Sequence, residues 1–291
     1  MSQSAPPPYP PQPQGGQALP GCVRHPDRAT GLRCVRCDRP ACPECLREAS
    51  VGYQCVDCVN EGAQSIRQPV TVGGGRVGQR PLVVPVLIVL NVAAFVVTAM
   101  QAGSIARNDA SPLYRAWSMV PDVVASDGEW WRLLTNGFLH FGPIHLLLNM
   151  LALYILGREL EPVLGGARFL SVYLVSLLGG SVAALLFQDP NDQLAGASGA
   201  VFGLMGGLVV VVRRLRMPLG PLGTLIAMNL VISFVVPFIS WSAHLGGLAV
   251  GAAATAALVY APERNRTAWQ AGALGALAAL LLLIALTWSV L

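Results

Sequence analysis

The chain has 291 residues, of which 54% are hydrophobic and only 12% are charged. Its mean hydropathy is +0.56. Soluble domains carry about 25% charged residues, so this composition excludes a water-facing surface for most of the chain and predicts a polytopic membrane protein. The net charge of +4 is too small to indicate nucleic-acid binding.

Composition divides the chain into five segments. Residues 1–20 are rich in Pro and Gln and predict a disordered tail, and a Cys-rich module follows at 21–60. Residues 61–80 contain Gly and Arg and predict a flexible basic linker. The apolar remainder predicts a helical core at 81–261 and an additional helix at 262–291.

Seven apolar segments have nearly the length of ~20 residues that crosses a lipid bilayer. They lie at 82–100, 137–156, 169–187, 196–212, 219–239, 242–261 and 268–289. Because lipid leaves backbone groups without water, and alternating barrel strands are absent from the sequence, all seven are predicted helices.

The orientation of these segments follows from charge. The N-terminus shows no signal-peptide pattern, and Arg residues lie in the connections 157–168, 213–218 and 262–267. We therefore expect a multi-pass protein of the cell membrane with its N-terminus in the cytosol. The connection 101–136 mixes apolar and charged residues, which predicts a structure in the membrane interface, with a solvated loop as the alternative.

The Cys-rich module carries eight candidate metal ligands in four pairs of one spacing. The pairs are Cys22 and His25, Cys34 and Cys37, Cys42 and Cys45, and Cys55 and Cys58. Two residues between ligands let a tight turn direct both at one tetrahedral Zn²⁺, so eight ligands fill two structural sites. A disulfide framework is the alternative, but the number of Cys is odd and cytosolic thiols stay reduced.

This pattern resembles the cross-braced two-zinc fingers of the B-box and RING type. The resemblance implies that the first and third pairs share one ion and that the second and fourth pairs share the other. It also implies a cytosolic protein partner for the module.

The seven apolar segments contain no Asp or Glu and only a few polar residues. An ionisable group in lipid is costly unless it lines a cavity or finds partners, so each His there is a candidate functional residue. The candidates are His140, His145, Asn149, Ser198 and His244. The last four lie within about three turns of the outer ends of their helices, so we expect them to converge in the outer half of the bilayer.

Ser198 follows Gly196 in a run of small residues at a predicted helix N-terminus. Free N–H groups at such a terminus favour a developing oxyanion. The serine hydroxyl needs a base, for which His244 is the candidate, and no acid in a span is available to orient that His. The sequence therefore predicts a Ser-His dyad, and it excludes an intramembrane aspartyl protease or a His-Glu-x-x-His zinc protease.

Together these motifs are similar, in order and spacing, to those of the rhomboid intramembrane serine proteases over residues 82–261. The resemblance is carried by Trp131-Arg132, His140, His145 to Asn149, Gly196 to Gly199, and Ala243 to Gly251. It implies an all-α polytopic fold with a rhomboid-like six-helix core. The predicted C-terminal transmembrane helix and the two-zinc module that precedes the core lie beyond this resemblance.

The resemblance also implies residue roles. Ser198 attacks a peptide carbonyl in or next to a transmembrane segment of a substrate, and His244 acts as base and then as acid. His145, Asn149 and the backbone N–H of Ser198 hold the oxyanion, and Gly199 keeps the turn open. No cofactor is expected for this catalysis.

Three further positions are expected to support the site. Phe202 stands where many rhomboids have a Tyr stacked on the catalytic His, and it keeps the ring without the hydroxyl. Gly247 and Gly251 are four residues apart and form a small-residue face that lets the sixth segment pack tightly against the fourth.

Two other classes of function stay open at this point. A catalytically weak or inactive rhomboid-like protein would bind transmembrane helices and recruit partners through its zinc module, and the presence of both Ser198 and His244 argues against it. A proton-coupled transporter that uses the three membrane His would need paired acids or interrupted helices near the midplane, and the sequence shows neither.

Overall fold

The structure is a computed structural model that describes residues 18–65, 69–78, 80–236 and 239–288. Most of the tail expected at 1–20, and residues 66–68 and 79 of the expected linker, lie outside these ranges. The chain divides into two compact units, of which the first ends at Gln68 and the second begins at Pro69.

The first unit is a small fold around its cysteines. A 3-10 turn at Pro43–Cys45 leads into an antiparallel hairpin of β1 (Leu46–Glu48) and β2 (Tyr53–Cys55), and helix α1 (Val56–Ser65) follows directly. The buried core consists of cysteine side chains with Ala41 and Leu46. So small an apolar core does not offset the entropy of ordering the chain, and folds of this size usually depend on metal ions or cross-links.

Part of the expected flexible linker at 61–80 is ordered, which corrects that prediction. Residues 61 to 65 continue α1 in the first unit. In the second unit, the backbone from Thr71 to Gly75 forms a turn. The Gly75 N–H and the Thr71 hydroxyl both donate to the Val163 carbonyl. A run of glycines has the same composition in a loose linker and in a tight turn, so only the bonding partner distinguishes the two.

The regular elements described in the second unit are helices, joined by loops that include two isolated β-bridges. In chain order its helices are α2 (Val83–Ala102), α3 (Pro112–Trp117), α4 (Pro121–Asp127), α5 (Arg132–Thr135), α6 (Gly142–Leu164), α7 (Gly166–Phe187), α8 (Ser198–Arg214), α9 (Gly220–Val235), α10 (Trp241–Val259) and α11 (Arg266–Trp288). Short 3-10 turns lie at Asn108–Ala110 and Asn136–Phe138. Each of the seven apolar segments found in the sequence corresponds to one of the long helices.

Not every long helix has the length and composition of a membrane span. In the described part of the chain, α2, α7, α10 and α11 are long and apolar enough to cross a bilayer. The pair formed by Arg132–Phe138 and α6 passes the same test only when it is counted as one span, and its two parts meet at 94°. The remaining helices α8 and α9 are 17 and 16 residues long.

Helix α6 extends beyond the segment at 137–156 that the sequence predicts. It continues to Leu164 and includes the buried Glu161. The carboxylate of Glu161 accepts three backbone N–H groups at the start of α2, from Leu82, Val83 and Val84, at 2.7 to 2.9 Å. The first N–H groups of a helix have no partner within the helix, so this carboxylate caps α2 and gains charge-assisted hydrogen bonds.

Helices α8 and α10 cross with their backbones nearly in contact. A Cβ atom placed on Gly247 would collide with the carbonyl of Gly199, and one on Gly251 would collide with the carbonyl of Gly203. Only glycine permits so close an approach at these two positions of α10. The crossing is the small-residue packing that stabilises helix pairs in membranes, and it fixes the start of α8 against the start of α10.

Candidate functional site

The eight Cys and His ligand candidates form two clusters in the first unit. One cluster comprises Cys22, His25, Cys42 and Cys45, and the other comprises Cys34, Cys37, Cys55 and Cys58. The first and third sequence pairs therefore meet, as do the second and fourth, which is the crossed arrangement that the resemblance implies. All seven cysteines are free thiols, so the disulfide alternative does not describe this structure.

The geometry of both clusters fits a tetrahedral metal ion. Zn–S bonds of about 2.3 Å at tetrahedral angles place two sulfur atoms about 3.8 Å apart. The Sγ atoms of Cys37 and Cys55 lie 3.7 Å apart, and Nδ1 of His25 lies 3.4 Å from Sγ of Cys42. Burial raises the pKa of Cys34, but backbone N–H donors outweigh burial and lower that pKa to about 6, which favours the thiolate that binds metal. Both clusters could hold a metal ion.

Ser198 is the first residue of α8 and is half-buried. The loop before it is held by two backbone donors, because the Gly196 N–H bonds the Asn136 carbonyl at 3.0 Å and the Ala197 N–H reaches Nε2 of the buried His140 at 3.5 Å. Ala197 occupies the N-cap position and has no polar side chain to accept the first N–H groups of α8. Those donors therefore remain available beside the Ser198 hydroxyl.

His145 lies next to Ser198 across Gly196. The Cβ position of Gly196 is 2.8 Å from a ring carbon of His145 and 3.7 Å from the Ser198 hydroxyl oxygen. Gly196 has a φ of +142°, so both its backbone conformation and the nearby ring require glycine. Nδ1 of His145 accepts the Phe141 N–H at 3.3 Å, so the proton of the neutral ring lies on Nε2, the atom nearer Gly196.

His244 is buried near the start of α10 and is held on two sides. Its ring stacks on Phe202 of α8 with 4.0 Å between the ring centroids. Its Nδ1 atom lies 2.6 Å from the hydroxyl oxygen of Ser233, a residue of α9. Phe202 follows Ser198 by four residues on the same face of α8, so the stack places His244 against the helix that begins with Ser198.

The other predicted site residues have more local roles. Asn149 is buried one turn after His145, and its side-chain amide donates to the His145 carbonyl at 3.0 Å. The buried Arg132 donates to the carbonyls of Arg115 and Ser118, both at 2.6 Å. Together with Trp131, whose indole N–H bonds the Ala116 carbonyl, Arg132 secures the segment before α6 and does not contact Ser198 or His244.

Comparison with known proteins identifies one family domain in the chain. The Rhomboid domain pattern matches residues 127–261 of the chain. The chain therefore contains a Rhomboid domain. Its Rhomboid domain contains both Ser198 and His244 as well as the α8 and α10 crossing, and the chain is a multi-pass membrane protein.

Individual relatives match parts of this chain. The Rhomboid protease GluP of Bacillus subtilis (strain 168) is 41% identical over 148 residues, which are 49% of this chain and 29% of GluP. RHOMBOID-like protein 4 of Arabidopsis thaliana is 34% identical over 203 residues, covering 59% of this chain and 51% of that protein. The putative rhomboid protease YdcA of Bacillus subtilis is 37% identical over 131 residues, with 43% and 66% covered. The chain spans less than two thirds of the length of each.

Sequence analysis did not identify every polar residue of this Rhomboid domain site. Ser233, which bonds His244, stands in an apolar segment as one of several hydroxyl residues and carries no motif. Asn136 holds the loop before Ser198 through its carbonyl, and its side-chain amide donates to Ser181 at 3.0 Å. A carbonyl contact depends on no particular residue type, so composition and spacing give no signal for Asn136.

Proposed function

We propose that this chain is an intramembrane serine endopeptidase in which Ser198 is the nucleophile and His244 is the general base. The observation that carries the proposal is the position of His244, which stacks on Phe202 of the helix that begins with Ser198, while His145 and the Ser198 hydroxyl both lie beside Gly196. Two relatives are named as rhomboid proteases, which supports the same chemistry.

The proposed reaction begins when Ser198 Oγ attacks the carbonyl carbon of the scissile peptide and its proton passes to Nε2 of His244. The resulting oxyanion accepts hydrogen bonds from N–H groups at the start of α8 and from Nε2–H of His145. The C–N bond then breaks as His244 donates its proton to the departing amine. Asn149 can join these donors once its amide turns from the His145 carbonyl.

A second half-reaction releases the acyl group. Water attacks the ester carbon while His244 takes the proton of that water, and the proton then returns to Ser198 Oγ as the ester bond breaks. Each step leaves the site without net change in charge, so no cofactor is needed. We propose substrates with transmembrane segments, because only these place a peptide bond in or next to the bilayer beside Ser198.

We propose the orientation that the sequence predicts, with the N-terminus in the cytosol and the site in the outer half of the bilayer. The proposed domain boundaries stay at 21–60 for the metal module, 81–261 for the protease core and 262–291 for the additional helix.

We propose Zn²⁺ as the ion of both Cys/His clusters because thiolate and imidazole ligands in tetrahedral sets favour it. The cytosolic partner of this module stays a prediction.

Reconstitution in liposomes tests the protease. The full-length protein is incubated with a generic single-span membrane protein, and the wild type is compared with the Ser198→Ala and His244→Ala variants. Ser126→Ala is the matched control because Ser126 is exposed on α4. We expect cleavage by the wild type and the control only. Cleavage that survives Ser198→Ala overturns the proposal, and a wild type that binds the substrate without cleaving it favours the inactive rhomboid-like alternative.

A further inference from the structure

Helix α9 contributes one buried side chain to the site, and this side chain is Ser233. It is 2% exposed, while large apolar residues of the same helix, such as Met228 and Phe234, are about 60% exposed. The hydroxyl oxygen of Ser233 lies 2.6 Å from Nδ1 of His244 and also 2.6 Å from the carbonyl oxygen of Asn229. Ser233 is therefore the one fully buried side chain of α9, while Ile226 and Leu230 are only partly buried against the core.

The two short contacts of Ser233 determine where its proton lies. A carbonyl oxygen can only accept a hydrogen bond, so the 2.6 Å contact with Asn229 requires the single hydroxyl proton of Ser233 to point at that carbonyl. The hydroxyl oxygen then has only lone pairs to offer His244. The 2.6 Å contact with His244 is a hydrogen bond only if Nδ1 of the ring carries a proton and donates it.

We infer that Ser233 is a positioning residue that holds His244 in the Nδ1–H tautomer. A neutral imidazole that is protonated on Nδ1 has its lone pair on Nε2, which is the atom that must accept the proton of Ser198. The opposite tautomer has no lone pair on Nε2 and cannot act as the base. Ser233 thus supplies the orienting acceptor that a triad takes from a carboxylate.

This arrangement also fits the chemistry of the membrane. The described spans bring no carboxylate to His244, and a buried carboxylate beside it would carry a large desolvation cost. A serine hydroxyl whose proton is already donated to a helix carbonyl is an acceptor without net charge. Phe202 covers the ring face of His244, so ring position and tautomer are fixed by different neighbours, one on α8 and one on α9.

The inference rests on the proposed protease function, and its test combines kinetics with spectroscopy on the full-length protein in liposomes. Ser233→Ala removes the acceptor, and Ser233→Thr retains a hydroxyl at the same place. Thr224→Ala is the matched control, since Thr224 also donates to a carbonyl of α9 but is exposed. We expect kcat to fall roughly 10-fold in Ser233→Ala with KM unchanged, near wild-type kcat in Ser233→Thr, and no change in the control.

The tautomer is read directly from ¹⁵N chemical shifts of histidine-labelled protein at pH 8, with His244→Asn used to assign the signals. We expect the Nδ1–H form in the wild type and a mixture of tautomers in Ser233→Ala. An Nε2–H form of His244 in the wild type overturns the inference even if Ser233→Ala fails to fold. If Ser198→Ala abolishes cleavage while Ser233→Ala leaves kcat unchanged, this inference fails and the protease proposal stands.

Discussion

The imidazole ring of His244 lies nearly parallel to the ring of Phe202, at an angle of 15° and a centroid distance of 4.0 Å. The two residues belong to α10 and α8, so the stack joins the proposed base to the helix that begins with the proposed nucleophile. Stacked aromatic pairs contribute about 0.5–1.5 kcal/mol beyond the burial of their surface. The stack therefore holds His244 in place without a hydroxyl at position 202.

Replacing Phe202 tests the contribution of this stack. Phe202→Leu keeps an apolar side chain without a ring, and we expect kcat for a single-span substrate to fall about 10-fold because His244 is less well positioned. Phe202→Tyr keeps the ring and serves as the control, with kcat expected within about 2-fold of wild type. A Phe202→Leu variant that cleaves at the wild-type rate would show that the stack does not position the base.

The close crossing of α8 and α10 predicts a strong effect of one methyl group. Gly251→Ala places a Cβ against the carbonyl of Gly203, so the helices must separate, and we expect a loss of about 1–3 kcal/mol in the free energy of unfolding. Gly272→Ala on α11 is the matched control because a Cβ there meets open space. Unfolding of both variants in detergent measures the difference, and equal stabilities contradict the prediction.

The capping of α2 by Glu161 predicts a second stability effect. Glu161→Ala leaves the N–H groups of Leu82, Val83 and Val84 without their acceptor, and we expect the unfolding free energy to fall by about 2 kcal/mol or more. Glu159→Ala is the control, because Glu159 is exposed and pairs with the neighbouring Arg158. If both variants unfold at the same denaturant concentration, the cap does not stabilise the fold.

Metal content distinguishes crossed pairing from sequential pairing in the first unit. We expect two Zn²⁺ per full-length chain in the wild type, measured by elemental analysis after removal of free metal. The double variant Cys22→Ser, Cys42→Ser disrupts one crossed site and retains one ion, whereas Cys22→Ser, Cys34→Ser disrupts both and retains none. Sequential pairing of neighbouring pairs predicts the reverse result for these two variants.

Removal of the metal has a separate consequence for folding. The core of the first unit consists mostly of its cysteines, so we expect metal ions bound at the two clusters to provide much of its folding free energy. We expect a strong chelator to make the backbone amides of β1 and β2 exchange hydrogen rapidly, while the amides of α7 stay protected. Slow exchange in the hairpin after complete metal removal would contradict this dependence.

The sequence was sufficient for features that depend on local spacing. Two residues between ligands define a metal-binding turn, so the ligand set of the first unit follows from the pairs that begin with Cys22 and Cys34. Apolar length places the long helices, and the scarcity of polar residues in lipid singles out Ser198 and His244. Each of these signals lies within one segment of the chain, so it can be recognised without knowing which segments meet in the fold.

Other features required the tertiary structure because they join residues that are far apart in sequence. Glu161 caps a helix that begins 78 residues earlier, and no spacing rule relates a carboxylate to the N–H groups of a distant helix. A glycine run such as that ending at Gly75 has the same composition whether it is a loose linker or a bonded turn. The bonded turn forms because Gly75 donates to the carbonyl of Val163, which lies almost ninety residues later in the chain.

The candidate site also contains residues that the sequence indicates and one residue that only the structure reveals. Sequence alone marks Ser198 as a candidate because it stands in the run Gly196 to Gly199 at a helix N-terminus, and it marks His244 because an ionisable group in lipid is rare. It does not select Ser233, because hydroxyl residues are common in membrane helices and bond their own helix carbonyls without further function. Only the packing of α9 beside α10 brings the hydroxyl oxygen of Ser233 to 2.6 Å from Nδ1 of His244. Helix periodicity fixes which residues share a helix face, but it does not fix which faces meet in the fold.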